Sequence, residues 1–195
     1  MHRLVTVAVL TLITFVAGCA STPASRFYTL SAASGSAATS SNVSIAVGPV
    51  TVPAVVDRPQ IVVNVGPNQV RMEEFSRWAA PLQNNIARVV TDNLVQMLGT
   101  PRVTSSAQTL SADADYRAAV EVQSFQSTPG EAAVLDAVWT VRRSKDGKAE
   151  TGRTSVRETV QEKSYDALAA AHSRALARLS QDIAAAVRAL ESSAR

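Results

Sequence analysis

The chain of 195 residues contains one cysteine and two histidines. A lone thiol closes no internal disulfide, so the fold must rest on its own apolar core even outside a reducing compartment. His2 lies in the N-terminal leader, which leaves His172 as the only imidazole in the remainder. His/Cys zinc sites are thereby excluded, and a Ser–His–Asp triad could be built only on His172. His172 falls on the apolar stripe of the last helical segment, where a packed histidine is the ordinary reading. The eight glycines are scattered at turns, and no glycine-rich phosphate loop occurs. No run of apolar residues reaches the ~18 that a permanent membrane-spanning helix requires. Lysines and arginines form no clustered face with interleaved aromatics, so nucleic acid is not an expected partner despite a pI of about 9.4.

What is present begins at the N-terminus. Arg3 supplies a positive region and residues 4–16 an apolar run of 13, the pattern of a secretory leader. The run leads into Leu12-Ile13-Thr14-Phe15-Val16-Ala17-Gly18-Cys19, where two small residues precede the single cysteine. This is the form of a bacterial lipobox. Residues 1–18 are expected to be a signal peptide. Cys19 is expected to be the new N-terminal residue, with a diacylglycerol on its sulfur and an acyl chain on its amine. These chains suffice for stable anchoring. No other cofactor is expected. Cleavage removes Arg3 and no acid, leaving 177 residues with a net charge near +2. Ala20 and Ser21 follow the cysteine where an aspartate commonly retains lipoproteins in the inner membrane. By likeness to sorted lipoproteins, this points to the periplasmic face of the outer membrane.

Residues 19–42 read as a lipidated tether of small polar residues, interrupted by Arg26-Phe27-Tyr28-Thr29-Leu30, a short strand expected to dock on the body. Residues 43–195 read as one globular domain. Val43, Ile45 and Val47 alternate with polar or small residues, and Pro49 and Pro53 suggest that this strand ends early or lies at an edge. Residues 61–65 and 69–72 read as a hairpin around Gly66-Pro67-Asn68. Leu82, Ile86, Val89, Val90, Leu94, Met97 and Leu98 form a helical stripe, with Pro81 in the first turn and Gly99 at its end. Alternation over Tyr116 to Val122 and Ala133 to Val141 and a return over residues 154–160 predict a three-strand antiparallel meander. Asp146-Gly147 suggests a two-residue type I′ turn. A last helix starts near Ser164 as N-cap and ends before a fraying tail at residues 191–195. The expected class is α/β, a two-layer sandwich in which two long amphipathic helices cover one face of a mixed or antiparallel sheet.

Two acidic pairs, Glu73-Glu74 and Asp113/Asp115, could do acid–base work only if burial or repulsion separated their pKa values. Their polar neighbours favour solvated surface pairs, so a binding or scaffold protein is expected, with no catalytic residue and no metal.

The motifs Val47-Gly48-Pro49-Val50, Asp57-Arg58-Pro59-Gln60-Ile61-Val62, Phe75-Ser76-Arg77-Trp78-Ala79-Ala80-Pro81-Leu82 and Ala171-His172-Ser173-Arg174-Ala175-Leu176, placed after Cys19 and Arg26-Phe27-Tyr28-Thr29-Leu30, resemble the ABC-type transport auxiliary lipoproteins of the PqiC (YmbA) type. The likeness covers essentially the mature chain. It departs at Ala80, where the family often has an acid, so no salt bridge is carried over there. The resemblance implies an outer-membrane lipoprotein that works with an MCE-domain protein and an inner-membrane transporter component. Such systems move phospholipids or other hydrophobic molecules and support envelope integrity. A ring of copies of the chain would match a conduit of several subunits. The other reading is an assembly factor or activator for a secretin, a cell-wall synthase or lipopolysaccharide export. Arg58, Phe75, Arg77 and Trp78 are the candidate partner-binding residues, because Trp and Arg are common interface anchors. The favoured alternative for Phe75 and Trp78 is that they staple the helix start to the core.

Overall fold

The computed structural model describes residues 23–33, 41–105 and 113–193. The leader, Cys19 and the spacer at 34–40 lie outside the described residues.

Among the described residues, eight strands and two helices follow in the order β1 (Arg26–Tyr28), β2 (Ile45–Thr51), β3 (Gln60–Gly66), β4 (Gln69–Trp78), α1 (Leu82–Leu98), β5 (Val103–Ser105), β6 (Tyr116–Thr128), β7 (Ala132–Arg143), β8 (Ala149–Thr159) and α2 (Tyr165–Ser192). The strands form a five-stranded sheet of order β5-β2-β6-β7-β8 and a three-stranded sheet of order β1-β4-β3. β2 runs parallel to both β5 and β6, while β6, β7 and β8 form the expected antiparallel meander. α1 lies over β2 and β5, α2 over β7 and β8, and the helices pack on each other. The fold is thus α/β with two helices on one face of the larger sheet. One cluster of buried side chains joins Leu30, Ile45, Leu82, Leu94, Leu135 and Leu176.

The sequence gives physical reasons for these elements. Ala133, Leu135, Ala137 and Val141 are buried at alternate positions of β7, as its period requires. In β6 the buried set changes parity, from Tyr116, Ala118, Val120 and Val122 to Phe125 and Ser127. A register shift against β7 between Val122 and Ser124 inserts the extra residue that lets both sets face the helices. Gly99, with φ 62°, closes α1 in the left-handed conformation, and the Ser164 hydroxyl accepts from the Ala167 amide at the start of α2.

Several local expectations are corrected. β2 continues through Pro49 inside the sheet. Its pairing with β5 stops at Val47 and that with β6 shifts at Gly48-Pro49, so a proline without an N–H is accommodated where β2 has only one neighbour. β4 extends to Trp78, beyond the return strand expected to end at Met72, because β1 pairs with its far end. Pro81 occupies the N-cap of α1 rather than its first turn. The β7–β8 turn is longer than two residues. Only Gly147 has a positive φ, and the Asp146 carboxylate is drawn back to the Arg143 guanidinium at 2.6 and 2.9 Å. That contact, with a guanidinium N–H of Arg143 donating to the Leu190 carbonyl, ties the turn to the end of α2 and holds the Asp146 pKa down at about 2. α2 persists to Ser192, past the expected start of the frayed tail. β5 was not expected; its three residues are too few to show a period.

Candidate functional site

Two features make the three-stranded sheet the candidate site: how the N-terminal segment joins it, and what its outer face displays.

β1 pairs parallel with β4, matching Arg26, Phe27 and Tyr28 to Ser76, Arg77 and Trp78. The Ala79 amide then donates to the Tyr28 carbonyl at 2.8 Å. Leu30 is fully buried. Its carbonyl accepts from the Arg88 guanidinium of α1, which also reaches Thr29 Oγ1 and Asn85 Oδ1. The Ser31 amide donates to Ser173 Oγ of α2 at 3.0 Å, and the Ala33 amide to Asn93 Oδ1 of α1 at 2.8 Å. The docked segment is therefore longer than the short strand expected, since Ser31 to Ala33 bind both helices where the sequence reads as spacer.

The face each side chain takes follows from the pairing, because cross-strand partners share a face. Gln60, Val62 and Asn64 alternate along β3 and pair with Arg77, Met72 and Val70 of β4; Arg77 in turn pairs with Phe27 of β1. These residues lie on one face of the sheet. The register slips by three residues in β4 between Glu73 and Arg77, where Phe75 sits. Phe27 is 64% exposed, Met72 54% and Phe75 38%, with Val55 and Val70 also exposed. Val55, Val62 and Val70 line a groove of 230 Å³ together with Phe125 of β6. Arg58 lies across this face, its guanidinium donating to Met72 Sδ at 2.9 Å and to the Ala54 carbonyl at 3.3 Å. Arg77 is ion-paired with Glu74 at 3.0 Å.

The opposite face turns inward. Ile61 and Val63 are buried, and Trp78 is only 6% exposed, packed edge-on against Phe125 with centroids 6.2 Å apart. Tyr28 meets Tyr165 of α2 edge-on at 5.9 Å. Glu73 pairs with Arg71 at 2.6 Å beside Tyr165, whose phenol is pushed up to about 12 by burial first and then by Glu73. Of the four sequence candidates, Arg58, Phe75 and Arg77 thus reach the surface of one sheet, and Trp78 is a core residue. Sequence reasoning missed Met72, Val70 and Val55. Period two in β4 would have grouped Val70 with Met72, but hydrophobicity would have turned them inward.

The other candidates for chemistry have structural partners. His172 is fully buried, stacked on Phe125 at 3.7 Å, and shares a 2.8 Å hydrogen bond between Nε2 and Ser127 Oγ. Burial pushes its pKa down to about 3, so it is a neutral packed residue at ordinary pH. Glu73 and Glu74 each pair with a different arginine. Asp115 accepts from the Ser44 amide at 2.8 Å and the Ser44 hydroxyl at 2.7 Å, which lowers its pKa and fixes the start of β2. No helix among the described residues is long and apolar enough to cross a membrane.

No curated protein matches the sequence. Among solved structures, an uncharacterized protein aligns with a TM-score of 0.69 and 21% identity, over 85% of this chain and 99% of its own. Protein XCC0632 from Xanthomonas campestris aligns with a TM-score of 0.66 and 17% identity, over 87% of this chain and 100% of its own. Identities this low establish a shared fold alone. The model of the ABC-type transport auxiliary lipoprotein component matches residues 28–184, from within β1 into α2, and so spans both sheets and both helices. With that match over most of its length, the chain belongs to the family of ABC-type transport auxiliary lipoprotein components.

Proposed function

We propose that the protein is an outer-membrane lipoprotein whose body holds the outer end of a periplasmic conduit for phospholipids or other hydrophobic molecules. Cys19 carries the acyl chains, and an MCE-domain protein with its inner-membrane transporter is the partner. The observation that supports this reading is the fixed N-terminal segment. Leu30 is buried in the common core, and the Ser31 and Ala33 amides bond to α2 and α1. A tether that ended in a long loose linker would let the body wander over the leaflet. Here only residues 20–25 separate the anchored cysteine from β1. At ~3.5 Å per residue, the span from Cys19 to Arg26 is at most about 25 Å. The anchor therefore restrains the height of a folded domain, which suits a docking part.

The acylated protein, solubilised from envelopes in detergent and captured beside a Cys19→Ala control, is expected to retain an MCE-domain protein identified by mass spectrometry. Recovery of a secretin or a cell-wall synthase in its place would overturn the proposal.

A further inference from the structure

We infer that the outer face of the three-stranded sheet rests on the bilayer surface to which Cys19 is anchored, as a second membrane contact that orients the domain. This rests on the reading of Cys19 as the acylated residue. Three observations converge on it. The first is reach: β1 is the first element after the anchor, and at most about 25 Å of chain separates it from Cys19. The second is chemistry. Phe27 and Met72 are the most exposed large apolar side chains of this sheet, and with Phe75 they share its surface with Arg58 and Arg77. Arginine stems lie along apolar surface while their heads reach for phosphate, and an aromatic or thioether side chain enters the headgroup boundary without a polar group left unpaired. The third is position. The opposite face of the sheet turns to Tyr165 and the core, while Phe27 and Met72 on the outer face stay 64% and 54% exposed. Glu74 is exposed on the same sheet and pairs with Arg77 at 3.0 Å, so Arg77 would exchange that carboxylate for a lipid phosphate at the bilayer. The short chain from Cys19 keeps this sheet within about 25 Å of the anchored residue, which favours lipid over protein as the occupant here.

The test uses full-length acylated protein in vesicles of phosphatidylethanolamine with a minority of phosphatidylglycerol. An environment-sensitive fluorophore is attached to Met72→Cys, to Phe27→Cys or, as a reference, to Lys145→Cys. Lys145 is exposed in the β7–β8 turn, at the end of the larger sheet away from Phe125. Brominated lipids are expected to quench the probes at 72 and 27 several-fold more than the probe at 145. Adding Arg58→Gln and Arg77→Gln to the Met72→Cys protein is expected to reduce that quenching. Equal, weak quenching at all three positions, in protein that carries acyl chains by mass and floats with the vesicles, overturns the membrane contact and leaves the anchor intact. If the probe at 72 is then shielded from a water-soluble quencher only in whole envelopes, a protein covers the face. Protein that carries no acyl chain and does not float overturns both readings.

Discussion

His172 shows how one buried group can set the pH response of the domain. Its neutral ring lies between Phe125 and Ser127 with no water-exposed atom, and its pKa is near 3 against an ordinary 6.5. The unfolded chain therefore binds a proton between these values that the folded chain refuses. The stabilisation is complete above about pH 6.5 and is lost as pH falls toward 3, with the slope of one proton bound by the unfolded chain alone. Melting curves between pH 7.5 and 4.5 are expected to show this slope, and His172→Leu is expected to flatten it. At Gly152 the constraint is space. A Cβ there would lie 2.3 Å from the Trp139 indole, which crosses the glycine and donates to Thr154 Oγ1 at 3.1 Å. Gly152→Ala is expected to cost about 1–3 kcal/mol in urea denaturation, because the indole must leave its site. Trp78 and Phe75 are three residues apart and differ in kind. Trp78→Ala is expected to lose about 3–5 kcal/mol of stability, whereas Phe75→Ala should change it by less than about 1 kcal/mol. Equal losses in thermal melts would contradict the inward and outward assignment.

At the scale of the element, the N-terminal segment behaves as part of the fold. Leu30→Ala removes a fully buried side chain of the common core and is expected to cost about 2–5 kcal/mol. Amide exchange should then speed up first at residues 26–33, whose bonds to Ser173 and Asn93 depend on that packing. The long elements were legible because their periods are. Leu82 to Leu98 carries a 3.6-residue stripe ended by Gly99, and β7 buries Ala133, Leu135, Ala137 and Val141 at alternate positions. The candidate site was legible only in part. Arg58, Phe75 and Arg77 could be named from residue type, but whether a strand of mixed character buries Val70 and Met72 or Arg71 and Glu73 depends on what packs beside it. Tyr165, nearly a hundred residues later, gives Glu73 and Arg71 a polar neighbour on the inner face. Ser31 and Ala33 carry no signal at all, because their partners are side chains of two distant helices.

For the whole molecule, the proposed anchor at Cys19 would hold the domain close to its membrane. Ten Gly/Ser residues inserted between Ser25 and Arg26 are expected to leave the melting temperature unchanged, since no described hydrogen bond spans that junction. The same insertion lets the body lift from the leaflet and is expected to abolish complementation of an envelope-defective deletion strain. Full complementation would show that height is not restrained by the tether. The sequence by itself determined the leader pattern, the single thiol, the two helices, the meander and the α/β class, because each is written in spacing over neighbouring residues. Only the tertiary structure decided that the strands divide into two sheets, that β5 and β1 find parallel partners, that Trp78 turns inward and that Phe27 and Met72 turn outward. Those outcomes depend on register between segments far apart in the chain, and a shift of one residue in a strand exchanges its two faces.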